Sequence, residues 1–189
     1  MALNNLFVIT GPSAVGKTTL ARELLKTDLP IAKVITTTTR PVRKGEVDDR
    51  EYRFVTKEEF REMIEKDEMF EWATYNDEYY GSQKQDVESI VQTGKSPLWV
   101  VDERGAEFLC EHYPEARVIF IVPSSFEILR TRLENRTLPK EEIRNRLKIA
   151  REEIAEAPRF TYRVNNYDGK LEKIVAETAD IIRKELESK

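Results

Sequence analysis

The sequence predicts an α/β protein, a three-layer α/β/α sandwich built on a mainly parallel sheet. Three observations carry that expectation. Apolar runs rich in β-branched residues, such as Leu6-Phe7-Val8-Ile9-Thr10 and Val118-Ile119-Phe120-Ile121-Val122, alternate with amphipathic helical stretches. This is the pattern of strands covered on both faces by crossover helices. From Pro41 to Gln83 the grammar changes to short, hairpin-like strands, so an inserted subdomain is expected beside the sheet. At 189 residues, with 40% hydrophobic and 35% charged residues, the chain suffices for one well-solvated domain with a real core. No repeat, low-complexity tract or linker divides it.

The first strand, Leu6 to Thr10, breaks into Gly11-Pro12-Ser13-Ala14-Val15-Gly16-Lys17-Thr18-Thr19, which fits G-x-x-x-x-G-K-[ST]. A helix-compatible stretch, Thr19 to Lys26, follows. Glycines let the loop curl so that successive N–H groups point inward, and the helix N-terminus adds a positive dipole end. The loop residues Gly11, Ser13, Ala14, Val15, Gly16, Lys17, Thr18 and Thr19 are therefore the candidate cradle for a nucleoside triphosphate. Lys17 is expected at the β- and γ-phosphates and the Thr18 hydroxyl at Mg²⁺. The fold class is thus narrowed to the P-loop nucleotide-binding type.

Lys33 to Thr39 reads as a second strand, stopped by the Pro41 and Gly45 region. Tyr52 to Val55 alternates like a half-buried strand. Thr56-Lys57-Glu58-Glu59 has capping-box spacing and opens a helix with Phe60, Met63 and Ile64 on one face. Phe70 to Tyr75 and Tyr79 to Ser82, separated by Asn76-Asp77-Glu78, form a predicted hairpin. A helix from Asp86 to Thr93 leads to the strand Leu98 to Val101, which runs into Asp102. A further helix leads to the strand Val118 to Val122. Two charged helices, Ser125 to Arg136 and Lys140 to Glu156, a last strand at Tyr162 to Val164 and a final helix, Leu171 to Leu186, complete the reading.

Composition excludes several classes. A formal net charge of −4 argues against general nucleic-acid binding. With Cys110 the one cysteine and His112 the one histidine, a disulfide framework, a thiolate metal site and a histidine triad are excluded. Both residues are expected near the end of a surface helix. No apolar run is long enough to span a membrane, and Met1 to Asn5 leaves no room for a signal peptide, so the expected location is the cytoplasm.

Arg40 and Arg43 lie three apart in a loop, beside Tyr52, Glu71, Tyr80 and Ser82 of the same inserted unit. Guanidinium forks and phenol hydroxyls suit a phosphate monoester, and a carboxylate suits donors on a base edge. The alternative fates are a solvated arginine pair and tyrosines of the subdomain core. Arg132 and Arg136 form an i, i+4 pair, with Arg146 beyond the break at Thr137-Leu138-Pro139. They read either as a charged helix face balanced by Glu127, Glu134 and Glu142, or as a lid closing cations over a transferring phosphoryl group. Asp102, ending an apolar strand after a P-loop, is placed like a Walker-B acid.

These blocks together resemble the guanylate kinases over nearly the whole chain: GPSAVGKTT, TTTTRPVRKGEVDDREYRFV, EWATYNDEYYGS, VDERGA, RLENRTLPKEEIRNRL and VNNYDGKLE. The resemblance implies phosphorylation of GMP by ATP, with Mg²⁺, in a monomer or weak homodimer without nucleic-acid or membrane partners. It implies that Arg40, Arg43, Tyr52 and Tyr80 hold the acceptor phosphate and that Thr36, Glu71 and Ser82 face the guanine. Lys17 and Thr18 would serve ATP and Mg²⁺, with Asp102 near the metal. Arg132, Arg136 and Arg146 would be lid and transition-state cations, and Asn166, with Asn165 as the alternative, would lie by the adenine. The implied division is a core of residues 1–35, 84–130 and 150–189, an acceptor-binding insertion of 36–83, and a lid at about 131–149.

The chain departs from the family pattern at several positions. Val100 stands where a second carboxylate normally faces the guanine. Thr36 replaces a common Ser, Ala14 and Asp49 replace common glycines, and the lid is one residue short and lacks a glycine after Arg136. Glu71 can by itself accept from both guanine donors, so GMP is expected to remain preferred, either less stringently or with help from a neighbouring group. The other readings are a kinase for a different nucleoside monophosphate or a sugar phosphate, and a guanylate-kinase-like binding module. The intact Gly11, Gly16, Lys17 and Thr18 weigh against the module, and the lack of an N-K-x-D segment weighs against a regulatory GTPase.

Overall fold

The computed structural model describes residues 5–42, 46–49, 52–75, 77–136 and 138–188. Five parallel strands form the central sheet: β1 (Leu6–Thr10), β2 (Ile31–Lys33), β7 (Ser96–Val100), β8 (Ala116–Pro123) and β9 (Tyr162–Asn166), in the order β2-β7-β1-β8-β9. β1 is buried at every position, as a central strand covered on both faces must be. Phe7 and Ile9 join one apolar layer with Leu20 and Leu24 of α1 (Lys17–Leu24), Leu129 and Leu133 of α5 (Phe126–Glu134), Leu147 and Ala150 of α6 (Lys140–Glu156), and Ile174 and Ile182 of α7 (Leu171–Glu187). Leu6 and Val8 join the opposite layer with Val87 of α3 (Lys84–Gln92) and Ala106 and Leu109 of α4 (Glu103–His112). The period-two alternation of one strand thus feeds two cores, which makes the three layers.

The second sheet lies within residues 36–83. It comprises β3 (Thr36–Thr38), β4 (Tyr52–Phe54), β5 (Met69–Tyr75) and β6 (Glu78–Gln83), in the order β4-β3-β6-β5. β5 and β6 form the antiparallel hairpin, and β3 pairs antiparallel with β6 and parallel with β4. Between β4 and β5 lies α2 (Lys57–Glu65), opened by a complete capping box. Thr56 Oγ1 accepts from Glu59 N–H at 3.1 Å, and the Glu59 carboxylate accepts from Thr56 N–H at 2.7 Å. Such caps contribute about 1 kcal/mol each.

The single strand expected over Lys33 to Thr39 is two strands in two different sheets. After β2 the backbone makes one further bond to the central sheet, Val34 N–H to Leu98 C=O at 3.0 Å, and then crosses to pair with β6. Three further expectations shift. α1 begins at Lys17, which puts that lysine in the first turn of the helix. α5 ends at Glu134, so Arg136 lies past its end and the Arg132–Arg136 pair does not share a helix face. The strand before Asp102 ends at Val100, and Asp102 is the N-cap of α4, its Oδ1 accepting from Gly105 N–H at 3.0 Å. Cys110 and the exposed His112 occupy the last turn of α4.

Candidate active site

One cavity of about 1060 Å³ opens between the two sheets. Its walls bring together Ser13, Ala14, Val15, Gly16, Lys17, Thr18 and Thr19, from the loop after β1 and the start of α1, with Thr36 and Tyr52 of the second sheet and Arg40 just after β3. Arg132, Arg136, Arg146 and Asn166 close another side.

The loop is held by backbone geometry that only some residues allow. Gly11 has φ +135°, and a Cβ there would stand 2.6 Å from Ile121 C=O on β8, so no side chain fits. Gly16 caps α1 at φ +107°, and Ala14 sits at φ +65°. Ala14 therefore carries left-handed strain of roughly 1 kcal/mol. Asp49 also has a left-handed φ of +56°, a region that Asp tolerates better than most residues.

Side chains fasten the loop from outside. Arg132 Nη1 donates to the carbonyls of Ala14 (3.3 Å) and Val15 (3.2 Å), while its Nη2 pairs with Asp168 at 2.7 Å. The Asn166 amide donates to Val15 C=O at 2.6 Å. Arg146 Nη1 reaches Ser13 Oγ at 3.0 Å, and its other donors bind Glu142. The Ala14 and Val15 carbonyls are thus pinned and Val15 N–H is given to Pro12 C=O at 3.2 Å, which leaves the N–H groups at the start of α1 for an anion. Lys17 Nζ donates to Gly11 C=O, and to Pro12 C=O at 3.2 Å. Burial pushes its pKa down, the charges of Glu153 and Asp102 oppose that shift, and Arg136 adds to it.

Across the cavity, Arg40 is 7% exposed and lies over the rings of Tyr52 (4.7 Å) and Phe54 (5.4 Å). Its fork is engaged bidentately by Glu46, with Nη1 and Nη2 each 2.7 Å from one carboxylate oxygen. Burial disfavours the guanidinium, and the Glu46 hydrogen bonds and charge more than offset it, so the pKa rises. Tyr52 is shifted upward by burial, against the pull of Arg40. Tyr80, on β6, couples electrostatically to both. Arg43 lies outside the described residues.

Glu71 and Ser82 face each other across the β5–β6 ladder and are buried at 4% and 0% exposure, behind the cavity wall and not on it. Ser82 O–H donates to Glu71 Oε1 at 2.7 Å, and Trp99 Nε1–H donates to Ser82 Oγ at 3.0 Å. Desolvation raises the Glu71 pKa to about 7, the Ser82 hydrogen bond lowers it and the Asp102 charge raises it. Thr36 and Val100 supply the nearby wall.

Sequence reasoning passed over Glu46, Glu153, Asp168 and Trp99. Glu153 had a readable signal: with Leu147 and Ala150 it falls on the core-facing stripe of α6, where a carboxylate is out of place. Its pKa is raised to about 7 by burial, against the attraction of Lys17, with Glu103 and Asp102 adding to the rise.

A family model described as guanylate kinase matches residues 3–185. The chain belongs to the guanylate kinase family. It is 42% identical over 165 residues to a guanylate kinase of Gloeobacter violaceus, an alignment covering 87% of this chain and 80% of that one. With a guanylate kinase of Prochlorococcus marinus subsp. pastoris it shares 40% identity over 182 residues, 96% of this chain and 98% of the relative. Among solved structures it is similar to the crystal structure of guanylate kinase from Anaplasma phagocytophilum, with a TM-score of 0.80 and 31% identity. That match covers 100% of this chain and 89% of the other. Guanylate kinase homology and the two-sheet cavity therefore coincide along the same stretch of chain.

Proposed function

We propose that this chain transfers the γ-phosphoryl group of ATP to GMP, giving ADP and GDP by direct in-line displacement. The observation that carries the reading is a single cavity with a pinned anion-binding loop on one wall and an arginine–tyrosine cluster on the other, backed by a buried carboxylate. In this reading residues 36–83 are the acceptor-binding insertion, about 131–149 are the lid, and the remainder is the donor-binding core. No helix among the described residues is long and apolar enough to cross a membrane.

The acceptor nucleophile is a phosphate oxygen, already largely ionised near neutral pH because its second pKa is about 6. No general base is required. What the residues must supply is charge compensation, alignment and exclusion of water. The loop N–H groups and Lys17 hold the donor phosphates. Arg40, Arg43, Tyr52 and Tyr80 hold the acceptor phosphate, with Arg40 exchanging the Glu46 carboxylate for it. Arg132, Arg136 and Arg146 bring positive charge to the oxygens between donor and acceptor. Thr36, Glu71 and Ser82 form the base-facing side, and Asn166 borders the adenine.

The residues fit Mg²⁺ brought in by the nucleotide. Thr18 exposes its hydroxyl into the cavity from the first turn of α1, and Asp102 keeps its second oxygen clear of its capping bond. Among the described residues no group of three or more His, Cys, Asp or Glu side chains forms a cage, which suits an ion held mainly by phosphates. Such an ion supplies Lewis-acid stabilisation of phosphate charge.

The test is ADP production from Mg-ATP with GMP, dGMP, AMP, IMP, UMP, CMP and a sugar phosphate, with Lys17→Ala as control. Turnover dominated by GMP and lowered at least about a hundredfold in the control is expected. Equal turnover of AMP and GMP would overturn the base assignment, and ATP binding without turnover of any acceptor would return the binding module.

A further inference from the structure

The base-reading carboxylate sits in a setting that the loss of an acid at Val100 makes informative. Glu71 accepts a single hydrogen bond among the described residues, from Ser82 to Oε1, although it is almost fully buried. Ser82 itself is fully buried with both sides of its hydroxyl committed. Its one proton goes to Glu71, and its oxygen receives the Trp99 indole N–H. Trp99 comes from β7 of the central sheet, where it is 0% exposed and stacked on Phe70 at 5.5 Å between ring centroids. It therefore reaches from one sheet to the other.

We infer that Trp99 is a positioning residue for acceptor recognition. Its indole N–H fixes the Ser82 hydroxyl so that the proton points to Glu71 Oε1, which orients the carboxylate and leaves Oε2 as the acceptor for the donor edge of the base. The inference deepens the proposed function and rests on it. The indole can only donate, so while the contact holds, it bars the serine proton from the Trp99 side and favours the orientation that bonds Glu71 Oε1. A serine hydroxyl without that anchor has three staggered choices, and in two of them Glu71 loses its bond. The neighbouring help that Val100 calls for is thus an oriented first carboxylate in place of a second one. Ser82 acts through Glu71, and of the three base-facing residues Thr36 is the one on the cavity wall.

The test is a double-mutant cycle with Trp99→Phe and Ser82→Ala, read in KM and kcat for GMP. Each single variant should raise KM about three- to tenfold, the worth of one net hydrogen bond, with kcat within about twofold, because positioning of the base is shared by ground and transition states. The double variant should show no further rise, since both changes break one chain of contacts. If Trp99→Phe fails to fold, 3-benzothienylalanine at position 99 in a Trp72→Phe background removes only the N–H. The same KM rise is then expected relative to Trp72→Phe alone. An unchanged KM in either indole-lacking protein overturns the inference, as do Trp99 and Ser82 effects that multiply. A packing role would lower kcat and Tm together and be additive, which also overturns it. Unmodified protein that turns over GMP while the cycle fails retires this inference alone. Unmodified protein inactive toward GMP retires the proposed function with it.

Discussion

In the proposed function Glu71 must be ionised to accept two donors from a guanine, yet its burial stabilises the protonated form. Replacing it with glutamine separates the two effects. The pKa of Glu71 moves from 4.5 to about 7 on folding. Between those values the native protein holds a proton that the unfolded chain has released. Stability therefore falls as pH rises from 4.5 to about 7 and stays lowered above that. At 1.36 kcal/mol per unit, the full cost is on the order of 3 kcal/mol. Glutamine keeps an oxygen to accept from Ser82 and cannot ionise. Glu71→Gln should then match the parent near pH 4.5 and exceed it by on the order of 3 kcal/mol at pH 8, a Tm gain of about 6–12 °C for a chain of this size. Glu153, which titrates in the same window, is present in both proteins and cancels. Urea unfolding at pH 4.5, 6, 7 and 8 measures the difference. The same variant should bind GMP about ten- to a hundredfold more weakly, because the acceptor charge is gone. A stability difference that does not change with pH would refute the account of Glu71 as a carboxylate held against its solvation preference.

Two other outcomes follow from contacts around the same cavity. Gly81 is opposite Trp72 in the β5–β6 ladder, and an added Cβ would lie 2.7 Å from Met69 Cε and 2.8 Å from Trp72 Cβ. Gly81→Ala should cost about 1–3 kcal/mol in urea unfolding and raise KM for GMP by shifting the strand that carries Glu71; unchanged stability would show that the two strands part without strain. Glu46→Gln should tighten GMP binding about three- to tenfold by loosening the hold on the Arg40 fork, while lowering ligand-free stability by about 1–3 kcal/mol because a buried guanidinium loses its charged partner and keeps only neutral acceptors such as Pro41 C=O. A rise in KM for GMP would show that Glu46 stays in the occupied site.

The P-loop and the main elements were legible because their causes are local: a motif with positional requirements, strand alternation, a capping box. The boundary between β2 and β3 was hidden because Ile31 to Thr39 is one β-forming run. Only pairing with Leu98 on one side and Tyr80 to Ser82 on the other divides it. Propensity is local and sheet membership is not. The Asp102 cap was likewise concealed by the apolar strand before it. Chemistry could be read residue by residue at Lys17 and Arg40, but not the partners that occupy them. The Glu46 contact with Arg40 and the Trp99 contact with Ser82 depend on where side chains end, across 6 and 17 residues respectively. The expectation of glycine at Ala14 and Asp49 agrees with their positive φ angles, which glycine adopts without strain.

The division of the Ile31–Thr38 run between two sheets also bears on how such a protein changes its substrate. The four-stranded sheet, the proposed acceptor side, is entered at Val34-Ile35 and left at Gln83-Lys84, so two crossings carry it. Beyond those crossings, side-chain ties to the rest include the Trp99–Ser82 bond and the ion pair of Arg53 with Asp86 on α3, at 2.7 Å. Phe70 of β5 is also stacked on both Trp99 and Tyr113, so an exchange of that cassette between homologues would have to re-match this aromatic seam along with the two crossings before new acceptor chemistry could be grafted onto an inherited donor core.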